Sequence, residues 1–458
     1  MTDRERDFGL GPSLGLTLGS ALLWGVAHLA THRHRTAFVL MSAQILLIAA
    51  ILTVVTAFST QLLSLAVQPG WMTGLALILA AVAVAWVTVI IWSYMLVRPA
   101  ASGIPARALA AGLAVSLCAL VLAPTAYAAR MAYVSRDLVH HLFAGNMGGP
   151  VVAEDPWSGA QRVNFLLVGA DSAPNRPGVR TDSMTVASVD TATGATTLLG
   201  LPRNLEEVPL PAGPARDRFP YGFTGDGGST PGLLNEVFQY AEDHPELVPG
   251  VATGRRGPAL LKETVSGVLG IPVRYYAMVD MKGFAEMIDA VGGVRITVEE
   301  PIVYGKYREG LLQAGTRRLS GEEALWYGRS RTDSDDYVRM GRQKCLINAV
   351  ARQADPLTLL NSFEGLATAT KRAISTDVPQ DLLPALVELA HKVRDTPIRS
   401  LNFVPPLIST ADPDWRLIRH KVTEALRPVT RRPATTAAGG ATPTASPEDP
   451  VTLDKTCG

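Results

Sequence analysis

The sequence predicts an α/β domain, layered α/β/α around a mixed sheet, standing behind an α-helical membrane region. Three observations predict it. No Asp, Glu, Lys or Arg occurs from Thr36 to Val97 or from Ala108 to Ala129. Beyond residue 160, short apolar strand-like runs alternate with helix-spaced segments. The composition, 47% hydrophobic with a net charge of +1 over 458 residues, excludes a chain disordered throughout and a general nucleic-acid binder.

A soluble domain would interrupt such uncharged runs, whereas each charge at a bilayer centre costs about 2.5–3.5 kcal/mol. About 20 apolar residues span the hydrocarbon. Residues 1–130 therefore divide into candidate spans at 37–58, 72–96 and 106–128, with a fourth at 10–30 that contains Gly, Pro and His28. Arg33 and Arg35 precede the 37–58 span, Arg98 and Arg107 separate the last two, and 59–71 has no cation. Cationic loops stay in the cytoplasm. The chain beyond about 130 is then expected outside the plasma membrane, on a multi-pass anchor of three or four spans.

Residues 131–160 read as a linker, helix-like and then turn-rich. Val163, Phe165, Leu166, Leu167 and Val168 make a continuous apolar run ended by Gly169, as in a strand buried on both faces. "SMTVASVD" and "ATTLLGLP" predict a hairpin across "TATG". The Gly/Pro-rich stretch 208–232 predicts a loop facing an active site. Leu261, Val265 and Val268 share one helical face, and strand, helix and strand follow over "VRYYAMVDM", "KGFAEMIDAVG" and "GGVRITVEEPI". Ser320 and Glu323 form a capping box for the next helix. "VRMGRQKCLINAVARQA" is another helix, two more follow at 356–395, and "RSLNFVPP" closes a domain of about 161–428. Residues 429–458, rich in Ala, Thr and Pro, read as a disordered tail. Cys345 and Cys457 lie in the exported part, where disulfides persist. A bridge between them and two free thiols are both open.

The chemistry concentrates in "YGRSRTDSDDYVRMGRQ", residues 327–343, with four arginines and three aspartates. Arg329 and Arg331 point the same way on an extended segment. Arg339, Arg342 and Gln343 share a helical face. Guanidiniums so gathered repel one another unless carboxylates such as Asp333, Asp335 and Asp336, or a polyanion, occupy the middle. An exposed ion-pair cluster satisfies this segment alone. Asp171 ends the first strand, however, and Arg180 and Asp182 open the second, while Arg203 follows the third. Carboxylates at strand ends suit Mg²⁺, which takes one or two of them plus phosphate oxygens. With the arginines they describe a metal-bound pyrophosphate pocket.

The ordered motifs "FLLVGADS", "RTDSMTVASVDTATGATTLLGLPRN", "LLNEVF", "AGTRRLSGEEALWYGRSR" and "DDYVRMGRQ" resemble the LytR-CpsA-Psr family from about 163 to 354, more loosely to about 426. The resemblance implies a fold and a reaction. The reaction is transfer of a glycopolymer from a polyprenyl-pyrophosphate-linked precursor to a peptidoglycan acceptor, at a muramic acid 6-hydroxyl, with Mg²⁺ (or Mn²⁺) as cofactor. It implies Asp171 and Asp182 as metal ligands. Arg180, Arg203, Arg329, Arg331, Arg342 and Gln343, with Arg339 on the same strip, are implied as pyrophosphate contacts, and Arg180, Arg203, Arg329 and Arg331 as the catalytic set. The lipid tail is expected among residues such as Val265, Leu269, Phe284 and Ile288. Asn204 departs from the family, which usually has Asp after the Pro-Arg pair. Its role would weaken here or pass to Glu206 or Glu207. Two other readings remain, a non-catalytic polyprenyl-phosphate binder and a polyprenyl pyrophosphatase.

Overall fold

The computed structural model describes residues 8–57, 69–99, 103–143, 155–171, 178–227, 232–305, 307–332, 335–353, 363–427, 450–453 and 457. They fall into two compact units, Met1–Val139 and His140–Gly458.

In the first unit, α1 (Leu10–Leu22), α2 (Val26–Ala30), α3 (His34–Ala57), α4 (Pro69–Val97) and α5 (Ile104–Phe143) follow one another. The spans His34–Val54, Thr73–Val97 and Ile104–Phe143 are long and apolar enough to cross a membrane. The candidate at 10–30 is not one such helix. It breaks between α1 and α2 at Gly25, whose φ of 97° favours glycine and whose added Cβ would meet the Ala37 carbonyl at 2.7 Å. Gln44 of α3 repairs the break: its side chain accepts from the Trp24 N–H and donates to the Leu22 carbonyl, both at 2.8 Å. A backbone gap in an apolar surround needs such partners. The span expected to end at 128 runs on as one helix to Phe143, so the start of the expected linker is helical.

The second unit begins with β1 (Arg162–Asp171), β2 (Arg180–Asp190) and β3 (Thr196–Leu201), then α6 (Pro214–Arg218), α7 (Val237–Asp243) and α8 (Arg256–Leu269). β4 (Tyr275–Asp280), α9 (Met281–Ala290) and β5 (Val294–Val298) follow. Next come β6 (Ile302–Tyr304), β7 (Gly310–Leu312) and β8 (Gly315–Leu319), and then α10 (Gly321–Arg329) and α11 (Asp336–Gln353). The rest is α12 (Phe363–Ala373), β9 (Ile374–Thr376), α13 (Leu383–Arg394), β10 (Ile398–Asn402), α14 (Trp415–Ala425) and β11 (Val451–Thr452). The main sheet has the order β11-β10-β3-β2-β1-β4-β9. It is mixed: β1 with β4 and β3 with β10 are parallel, and the other neighbours are antiparallel. β1, β3, β4 and β10 therefore all end at one edge.

Alternation along β1 divides the layers. Leu166 and Val168 enter the larger core with Val186, Leu199, Leu261 and Val265, under α7, α8 and α14. Leu167 and Gly169 face the side of α9, α10 and α11. The described residues of the loop expected to face an active site turn to the core instead. Val208, Leu210, Phe219 and Phe223 bury in the larger core, where the two phenylalanines pack against Tyr240. Its apolar side chains gain more from that burial, about 1.5–3 kcal/mol each, than a solvent-facing loop would allow.

Near the end of the segment expected to be a disordered tail, Val451–Thr452 form β11, which pairs antiparallel with β10, and Cys457 is bonded to Cys345, while residues 429–449 lie outside the described residues. β10 is thus not the last strand. Beneath it Lys344 of α11 is 2% exposed; its ammonium donates to Ser400 Oγ at 2.7 Å and to the Leu401 and Leu198 carbonyls. None of these acceptors is a carboxylate, and burial pushes the Lys344 pKa down from 10.5 to about 7. The unfolded chain then holds a proton that the folded chain lacks between roughly pH 7 and 10.5. Stability should rise with pH through that window, with a slope approaching about 1.4 kcal/mol per unit. Melting curves of the wild type and of Lys344→Met from pH 7 to 9 check this: the wild type gains relative to the variant as pH rises, and parallel profiles would contradict it.

Candidate active site

Local structure aims the charged side chains at the edge where the parallel strands end. Asp171 stands opposite Arg180 and Ala170 opposite Thr181, yet Gly169 pairs with Ser183. Asp182 is thus the extra residue of a β-bulge, a device that re-aims a side chain at a sheet rim. The end of β3 is clamped beside it. The Asn235 N–H donates to the Arg203 carbonyl at 3.0 Å, and the Asn235 carbonyl accepts from Thr181 Oγ1 at 3.2 Å. Arg203 Nη1 then donates to Asp182 Oδ1 at 2.5 Å.

Two helix ends bring the remaining groups. The capping box of Ser320 and Glu323 starts α10 as the sequence predicts, and the helix delivers Arg329 at its last turn. Arg329 Nη2 lies 3.3 Å from Asp171 Oδ2, with the guanidinium 5.7 Å from the Trp326 ring centroid. Asp335 begins α11, its Oδ1 accepting from the Tyr337 and Val338 N–H groups at 2.9 and 2.7 Å. That places Asp336 in the first turn, where it meets Arg339 Nη2 at 2.9 Å, Arg203 Nε at 3.6 Å and Arg331 Nη1 at 3.7 Å. Asp336 is the hub that sequence reasoning missed. In the sequence it is one of three balancing charges, and its i,i+3 spacing to Arg339 is the available signal. Asp333 lies outside the described residues.

Asp182, Arg203, Arg329, Arg331 and Arg339 line a cavity of about 480 Å³ with Met281 and Trp326. A second cavity of about 400 Å³ adjoins it, lined by Leu167, Ala277, Phe284, Leu346, Ile347 and Val350. Met281 and Arg329 line both. Of the four residues expected around a lipid tail only Phe284 does so. Val265 and Leu269 are buried on the opposite face of the sheet, and Ile288 lies in the core beside β5. A single helical face cannot serve the core and a cavity across the sheet.

The expected contacts divide. Arg203, Arg329, Arg331 and Arg339 come together; Arg180 is exposed at the start of β2. Gln343 accepts from Ser183 Oγ at 2.8 Å and donates to the Gly328 carbonyl at 3.0 Å, at the rim of the apolar cavity. Arg342 turns away, donating to the Ser330 carbonyl at 3.3 Å and lining a different cavity. Asn204 does not reach Arg203; its Nδ2 is 3.4 Å from Thr410 Oγ1. Asp182 and Asp336, rather than Glu206 or Glu207, orient the Arg203 guanidinium.

Among the described residues three carboxylates (Asp171, Asp182 and Asp336) meet four guanidiniums here. Arg339 is 4% exposed, and burial lowers its pKa against the opposing charge of Asp336. Its Nε and Asp336 Oδ1 are buried without hydrogen-bond partners. Asp336 Oδ1 does lie 3.7 Å from Arg331 Nη1. No group of three or more His, Cys, Asp or Glu suited to a metal occurs among the described residues. Asp171 and Asp182 are two of the three carboxylates at this edge, each with one oxygen on an arginine, and a pair of carboxylates is the number Mg²⁺ takes when phosphate oxygens and water complete its shell.

The family profile described as "LytR_cpsA_psr family" matches residues 150–405. A polyisoprenyl-teichoic acid–peptidoglycan teichoic acid transferase TagU of Bacillus cereus is 25% identical over 247 residues, 54% of this chain and 70% of that protein. The probable cell wall biosynthesis protein LcpB of Corynebacterium glutamicum is 40% identical over 109 residues, 23% of this chain and 26% of that one. Among solved structures, "TagT bound to LIIa-WTA" has 17% identity and a TM-score of 0.39, covering 62% of this chain and 94% of that one. The chain spans about two thirds of the length of the TagU relatives of Bacillus cereus and Bacillus mycoides, at 70% and 63%.

Proposed function

The chain belongs to the LytR-CpsA-Psr family, and from that premise we propose that it transfers a glycopolymer from a polyprenyl pyrophosphate carrier to peptidoglycan, outside the plasma membrane. One observation carries the reading: a cavity lined by four arginines opens beside an apolar cavity, with Met281 and Arg329 common to both. A prenyl pyrophosphate has that division, a charged head joined to an apolar tail. The TagU relatives are named for teichoic acid transfer to peptidoglycan, which agrees in chemistry.

In the proposed reaction an acceptor hydroxyl, a muramic acid 6-hydroxyl by the family resemblance, attacks the phosphorus next to the polymer. The P–O bond to the lipid phosphate breaks, polyprenyl monophosphate leaves, a phosphodiester joins polymer to acceptor, and the hydroxyl proton is released. Arg203 and Arg329 hold the non-bridging oxygens where charge develops, and Arg331 and Arg339 neutralise the departing phosphate. Asp182 and Asp336 keep Arg203 in place before substrate arrives. Asp171 and Asp182 would hold Mg²⁺, which would supply further neutralisation of the pyrophosphate charge.

Val350 lines the apolar cavity and is 38% exposed, so a larger side chain there fills the cavity without disturbing the core. Val350→Trp is expected to weaken binding of a polyprenyl pyrophosphate at least about tenfold. Binding of inorganic pyrophosphate should be unaltered. Calorimetry on the full chain in detergent measures both, and equal lipid affinity in variant and wild type would remove the tail from this cavity.

A further inference from the structure

Two carboxylates hold Arg203, whereas the ion pair of Arg329 with Asp171 is long, at 3.3 Å, and the Arg329 side chain is 36% exposed. An arginine so exposed keeps many rotamers, and a pyrophosphate would have to freeze them. A ring supplies a further hold. Trp326 and Arg329 are spaced i,i+3 on α10, which brings the two side chains together, and the guanidinium sits 5.7 Å from the indole centroid.

The indole is itself fixed from outside α10. The Tyr304 ring, at the end of β6, stacks on it with centroids 5.7 Å apart and planes 27° from parallel. Two features place that ring. Tyr304 pairs with Gly310 across the β6–β7 hairpin, and a Cβ on Gly310 would strike Tyr304 Cε2 and Cζ, so the ring lies over bare glycine backbone. Ser330 Oγ donates to the Val303 carbonyl at 2.8 Å, which ties β6 to the end of α10. Tyr327 buries in the core with Ile302 and Leu312, so α10 turns that ring inward and leaves Trp326 to the arginine cavity. Trp326 and Arg329 line the cavity, and Tyr304 lies outside its lining.

We infer that Tyr304 and Trp326 are positioning residues, which hold the Arg329 guanidinium where the pyrophosphate binds. The inference rests on the transferase reading above and adds how one of its arginines is made ready. Aromatic rings suit this task. An indole attracts a guanidinium through its π-system without taking the N–H groups, which stay free for phosphate oxygens. A second carboxylate on Arg329 would occupy those donors and repel the phosphate.

Calorimetric titration of the full chain in detergent with polyprenyl pyrophosphate and Mg²⁺ tests it. Trp326→Leu is expected to weaken affinity about tenfold, and Trp326→Phe, which keeps a ring, by less than about threefold. Tyr304→Leu and Gly310→Ala should each cost about threefold or more, and Tyr304→Phe should match the wild type. The deciding comparison is a double-variant cycle. In an Arg329→Ala background, Trp326→Leu or Gly310→Ala should change affinity by less than about twofold, because their effect passes through the missing guanidinium. The full loss repeated in that background would make Trp326 a direct contact or a structural residue and overturn the inference, as would wild-type affinity in Trp326→Leu. Gly310→Ala replaces neither ring, so it carries the cycle if Trp326→Leu does not fold. A wild type that binds the lipid yet makes no phosphodiester sinks the transferase reading alone, since the cycle still reads the hold on Arg329.

Discussion

Replacing Arg203 by alanine is expected to cut glycopolymer transfer by about 10³-fold or more while leaving the fold intact. A single arginine aimed at a transferring phosphoryl group is worth at least that much. Arg203 is the arginine that the structure prepares most fully, with Nη1 on Asp182 and Nε near Asp336, and its backbone is clamped by Asn235. Its side chain is 23% exposed, so the lost ion pairs should cost only about 1 kcal/mol of stability. Arg203→Lys should not restore the rate, because an ammonium cannot address two carboxylates and a phosphate with a fixed fork. The check is turnover of labelled lipid-linked polymer alongside a melting curve. A fall of less than about tenfold with Tm unchanged would take Arg203 out of the catalytic set.

Asp336→Ala should produce the largest loss of stability in the site. Arg339 is nearly enclosed, and Asp336 is the carboxylate at 2.9 Å from its Nη2. Removing one member of a buried pair leaves an uncompensated charge, at a cost of about 3–5 kcal/mol. That corresponds to a drop of roughly 10 °C in Tm for a domain of this size. Pairing the change with Arg339→Leu should recover most of the loss, since the stranded charge is then gone. Calorimetric melts of the single and double variants decide it. A single variant as stable as wild type would mean that water or another group already satisfies Arg339.

Much of this was legible in the residues. The uncharged run from Thr36 to Val97 announced helices long and apolar enough to cross a membrane, and the apolar run of β1 announced a buried strand with Asp171 at its end. Side-chain periodicity paired Arg329 with Arg331, and the strand ends marked Asp182 and Arg203; the family resemblance joined these segments into one site. What escaped was decided by contacts between distant segments. Asp336 became the hub because α10, α11 and the end of β3 meet there, which spacing within one segment cannot reveal. The loop at 208–232 looked like a rim because its glycines and prolines outweigh its aromatics in any local count, yet Phe219 and Phe223 found a core. The strand near the C-terminus is two residues long in an Ala/Thr/Pro-rich stretch, and it pairs where Cys345 and Cys457 are joined. Arg342 shares a helical face with Arg339 only approximately, and the difference was enough to turn it into another cavity.

Product analysis tests the transferase reading most directly. The full chain in nanodiscs is given a labelled polyprenyl-pyrophosphate-linked glycopolymer, peptidoglycan fragments and Mg²⁺. Label should move to the peptidoglycan through a phosphodiester, with one polyprenyl monophosphate released for each bond formed, and neither product should appear when the acceptor is left out. Lipid retained with no phosphodiester would make the protein a carrier-binding regulator, and polyprenyl monophosphate released without acceptor would make it a pyrophosphatase. Either result contradicts the account.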